Sequence, residues 1–194
     1  MSRSAAEVTT TSANLGRSAP TSSPPRRTAP FDLEPGFYEP AALWLFGNAR
    51  LLMGKLAFVD LSFGPANHAP SDLDEVERIA EGLVLSANVL VSGIHSPAHM
   101  RAAIVPLRWG APRILVVSGG IEYHLGSKLD QEPFRAARLW RYQWDPRTDL
   151  IVSRRAPRKL PTFARTNPTV DRLIRRIVKR EVDGLLFGRP EFTL

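Results

Sequence analysis

Arg113 to Glu122 read RILVVSGGIE. Four apolar residues bounded by polar ones make a short buried strand. The serine and two glycines behind them make a tight turn, and a helical segment is expected after it. The same unit recurs on either side. Asn88 to Gly93 read NVLVSG, Lys55 to Val59 read KLAFV, and Asp149 to Ser153 read DLIVS. Leu185 to Phe187 supply a short fifth apolar run.

Amphipathic segments lie between these runs. Leu73, Val76, Ala80, Leu83 and Val84 recur at helical spacing, with Ser71 as the expected cap and Asp72, Asp74 and Glu75 in the first turn. A second helix is expected from about Pro97 to Trp109, and a third from about Glu132 to Tyr142. The last carries Asn167 as cap, Pro168 at its first position and Val170, Leu173, Ile174, Ile177 and Val178 as its apolar stripe. Gly184 is expected to end it. Strands alternating with helices predict an α/β fold, Rossmann-like and doubly wound. Its sheet is mainly parallel with helices on both faces. Upstream, Phe31 to Met53 are apolar and aromatic, and read as a lead-in packed on that sheet with a turn at Gly47-Asn48.

The chain has 194 residues, enough for one domain and a tail. Residues 1–30 hold six Ser, five Thr and four Pro without apolar period, so a disordered tail is expected there and a single domain over 31–194. Cysteine is absent, which excludes disulfides, thiol catalysis and iron–sulfur ligation. No run approaches a membrane span and no apolar leader is visible. A cytoplasmic protein is therefore expected.

Charge is unevenly placed. Residues 1–134 carry 11 Lys/Arg against 13 Asp/Glu, whereas residues 135–194 carry 15 against 6. Clustered arginine in the last third fits phosphate contact and base stacking. Ligands of such sheets sit beyond the carboxyl ends of the strands. Those ends are Asp60-Leu61-Ser62, Ser92-Gly93, Ser118-Gly119-Gly120 and Ser153-Arg154-Arg155. Glycine amides and serine hydroxyls there can approach a phosphate, although neither glycine turn is a full nucleotide-binding fingerprint.

Glu122, just past the glycines, can act as a general base beside a sugar or simply start a helix. His95 and His99 are four apart and share a helical face, but no Glu lies between them and no third ligand is evident. Capping or surface roles are expected for them, and no metal or cofactor.

Together the strand ends resemble the DNA-processing protein A (DprA/Smf) family, over about Ala42 to Gly188. Leu43 to Gly47 (LWLFG) with Leu56 to Val59 is similar to its lead-in and first strand. Asp60, Leu61 and Ser62 stand where the family has a Gly-Ser-Arg type turn. Ile94 to His99 is similar to the end of the family's Gly-Ile-Asp-x-x-x-His loop, about four residues shorter, with His95 in place of Asp. RILVVSGGIE is the best match. Arg154 replaces the family's Glu after the next strand, and Phe163 to Asn167 (FARTN) resembles its Phe-Pro-x-Arg-Asn element.

The resemblance implies a non-enzymatic single-stranded DNA-binding protein of DNA processing and recombination. A recombinase partner and a homodimer are implied with it, and no membrane. The DNA or phosphate contacts it implies are Ser92, Gly93, Ser118, Gly119, Gly120, Arg165 and Asn167, with Glu122 beside them. Two other readings stand. One is a nucleotide-binding or nucleoside-monophosphate phosphoribohydrolase-like enzyme using Glu122. The other is a scaffold that docks partners on the basic helix 170–183.

Overall fold

The computed structural model describes residues 32–61, 69–125, 144–161 and 167–182. Four strands are parallel and follow chain order across the sheet: β3 (Leu56–Ala57), β4 (Val89–Gly93), β5 (Arg113–Val117) and β6 (Leu150–Ser153). All residues of β4, β5 and β6 are buried. Burial on both faces is why these segments read as unbroken apolar runs rather than alternating ones.

Each face has its own helices. Val89, Val91, Ile114, Val116, Leu150 and Val152 pack against α4 (Pro168–Val178) through Val170, Leu173, Ile174 and Ile177. On the other face Leu90 meets α1 (Pro70–Leu85) and α2 (Pro97–Arg108). Leu115, Val117 and Ile151 meet the short α3 (Ile121–Leu125), Phe46 and Trp144 on that same face. The fold is thus the expected Rossmann-like sandwich of helices about a mainly parallel sheet.

The lead-in differs from expectation. Rather than packing on the sheet, it extends it. β1 (Asp32–Tyr38) and β2 (Leu43–Gly47) form an antiparallel pair, and β2 pairs antiparallel with β6. The sheet order is β1-β2-β6-β5-β4-β3. β2 closes the β6 edge and sends Leu43 into one core and Phe46 into the other. β3 pairs over two residues only, shorter than the run from Lys55 to Val59.

Helix starts follow capping chemistry. Ser96 accepts from the amide of His99 with Pro97 at the first position of α2. The cap of α1 lies two residues before the expected Ser71: Ala69 precedes Pro70, and the Asp72 carboxylate accepts from the Ala69 amide. Proline fits the first helical position, so Pro70 moves the start ahead of Ser71.

Asn167 accepts from Val170 N at 3.3 Å, with Pro168 next, as expected for α4. Asn167→Ala should therefore cost about 1 kcal/mol, read as a lower melting temperature. An unchanged melting temperature would show that the cap is dispensable.

The described part of α4 ends at Val178, with Arg180 left-handed at φ 58°. The expected helix at 132–142, the strand at 185–187, Gly184, Ser62 and the 1–30 tail lie outside the described residues. Among the described residues no helix is long and apolar enough to cross a membrane.

Candidate functional site

The carboxyl ends of β4, β5 and β6 carry two polar zones. The first lies at the end of β4, where the starts of α2 and α4 converge. Ser92 is buried, and its hydroxyl donates to the carbonyl of His99 at 3.0 Å, tying the strand end to α2. A Cβ on Gly93 would lie 2.5 Å from His95 Nδ1 and 3.2 Å from His99 Cδ2. Glycine here makes room for two imidazoles.

Those rings lie tilted by 37° with centroids 4.1 Å apart. Both direct Nε2 to one oxygen of Asp171, in the first turn of α4: His95 at 3.0 Å and His99 at 3.3 Å. Ser96 Oγ lies 2.8 Å from His99 Nδ1. Burial pushes the Asp171 carboxyl up, but the hydrogen bonds and charge of the two histidines outweigh it and hold it well below the usual carboxylate range. The surface role expected for the histidines is corrected. Their side chains are 6% and 10% exposed, because the β4–α2 turn folds them under the start of α4.

The second zone covers the ends of β5 and β6. Gly119 N donates to His124 Nε2 at 3.3 Å and Gly120 N to the carbonyl of Lys159 at 2.7 Å. Ser153 Oγ donates to the carbonyl of Gly119 at 2.7 Å. A Cβ on Gly119 would come within 2.9 Å of Pro161, and one on Gly120 would overlap the carbonyls of Ala156 and Pro157. The glycine turn is therefore the floor on which the chain's own segment 154–161 rests. Ser118 is half-buried beside it.

That segment is strongly basic. Arg154, Arg155, Arg158 and Lys159 are all exposed. Arg155 donates to the carbonyl of Leu160 at 3.0 Å. Arg158, 89% exposed, donates to the Glu122 carboxylate at 2.8 Å. Glu122, 27% exposed, thus has a cation across it.

The structure brings Ser92, Gly93 and Asn167 to the first zone, and Ser118, Gly119, Gly120 and Glu122 to the second. Asn167 is engaged as the α4 cap. Arg165 lies outside the described residues. Sequence reading missed Asp171 and the covering role of segment 154–161. One signal was present: Asp171 is the sole acidic residue between Asp149 and Glu181.

No protein-family model and no curated protein matches the chain. It is similar to a solved structure of DNA processing protein A from Helicobacter pylori, a study of that protein's single-stranded DNA binding mode. Identity is 16% and the TM-score 0.46, over 70% of this chain and 54% of that one. The chain thus spans about half the length of that structure.

Proposed function

We propose that this chain is a non-enzymatic single-stranded DNA-binding protein of DNA processing, holding the strand across the carboxyl ends of β5 and β6. The observation that carries the reading is the loop at 154–159, which puts four exposed cations over the glycine turn. An exposed pair such as Arg158–Glu122 is worth little in water, so Arg158 can exchange its carboxylate for a phosphate. Arginine adds a planar group on which bases stack. The strand-end resemblance in the sequence points the same way. It extends the proposal to Arg165, to a recombinase partner and to a homodimer.

The test is fluorescence anisotropy of a labelled single-stranded oligonucleotide, titrated at several salt concentrations and against duplex. Phosphate contacts release counterions, so the logarithm of affinity should fall linearly with that of salt, by about 0.7 per contact. Replacing Arg154, Arg155, Arg158 and Lys159 together by Ser should lower that slope by up to about 3. No binding at low salt, or binding indifferent to salt, would overturn the proposal. An unchanged slope in the quadruple variant would move the DNA away from this loop.

A further inference from the structure

We propose that His95, His99 and Asp171 form a site for a transition-metal dication of the Zn2+ class at the carboxyl end of β4. The proposal is independent of the DNA reading. The three offered ligand atoms lie within 4.8 Å of one another. A metal about 2.0–2.2 Å from each donor needs donor-to-donor edges of roughly 2.9–3.5 Å. Two edges have that length already: 3.0 Å from His95 and 3.3 Å from His99 to Asp171. The third, between the two imidazole nitrogens, is no longer than 4.8 Å.

The surroundings are those of a held site. Ser96 sits on His99 Nδ1, as an outer partner of a ligating imidazole does. Ser92 fixes the backbone of the same residue. His95 is 6% exposed, and its Nδ1 has no hydrogen-bond partner among the described residues. Asp171 is 38% exposed, so solvent reaches the carboxylate side of the cluster.

The donor set also fixes the metal class. Two imidazoles and one carboxylate suit Zn2+, Co2+ or Ni2+, whereas Mg2+ and Ca2+ need oxygen. The converging starts of α2 and α4 present positive dipole ends that oppose a cation held by charge alone. Binding must therefore come from imidazole donation.

The test uses the full chain stripped with a chelator. Calorimetry with Zn2+ should give one ion per chain, undisturbed by excess Mg2+. Zn2+ should raise the melting temperature of the wild type, since a ligand of the folded state stabilises it. Co2+ should give visible absorption bands of imidazole coordination, a readout that needs no variant. Asp171→Asn keeps an acceptor for the histidines but loses the charged ligand, and should weaken Zn2+ at least tenfold. No visible Co2+ band, no Zn2+ heat, or equal Zn2+ affinity in Asp171→Asn would each overturn the proposal.

Discussion

Asp149→Ala should lower the unfolding free energy by about 3–5 kcal/mol, read as an earlier urea midpoint at unchanged slope. Arg113 opens β5 with its side chain 1% exposed, and Asp149, just ahead of β6, is 3% exposed. Arg113 Nε donates to Asp149 Oδ2 at 3.2 Å and a terminal nitrogen donates to the carbonyl of Ala103 in α2 at 2.5 Å. Burial pushes the Asp149 carboxyl above its ordinary value, and the charge and hydrogen bond of Arg113 only partly draw it back. Such a pair adds little stability as a pair, but losing one member strands a charge in the core. The double variant Arg113→Met, Asp149→Asn removes both charges and keeps an acceptor for the neighbouring amides. It should recover most of the loss. A single-variant cost below about 1 kcal/mol would mean that water reaches Arg113.

Gly120→Ala should lift the basic loop from the glycine turn. The added methyl would overlap the carbonyls of Ala156 and Pro157, which are backbone and cannot rotate aside. Crowding of this kind costs about 1–3 kcal/mol, and it falls on the docking of residues 154–161. Trypsin provides the measurement, because that loop carries Arg154, Arg155, Arg158 and Lys159. Native-state cleavage there should rise about tenfold or more, since roughly 1.4 kcal/mol of local opening is a factor of ten. If the loop carries DNA, affinity should fall in the same variant. Unchanged cleavage would show that the loop does not rest on this turn.

Much of the frame was legible in the sequence. Arg113 to Val117 is a strand with the expected bounds, because Pro112 and Ser118-Gly119 punctuate it on both sides. Val170 to Val178 kept its helical stripe, and Asn167-Pro168 marked its start. The N-terminal strands were harder. Leu43 to Phe46 are apolar throughout, so no alternation announced a strand that pairs β6. Ser71 lost the cap because Pro70 already satisfied the first helical position.

The site was legible as a place but not as an arrangement. Its glycines sit at the strand ends. What presses on them, two imidazoles on Gly93 and a basic loop on Gly119 and Gly120, comes from elsewhere in space. Asp171 reaches the histidines only because α4 crosses to the far face and begins beside β4. No local pattern encodes such a meeting.

The antiparallel seam between β2 and β6 also sets an order of events during synthesis. Trp44 finds its partner Ser153 only after about a hundred further residues have left the ribosome. At ordinary elongation rates that delay is on the order of ten seconds. For that interval β2 lacks the strand that pairs its inner edge, a hairpin of two strands is marginally stable at best in water, and the apolar residues Leu43 to Phe46 are open to association with other chains.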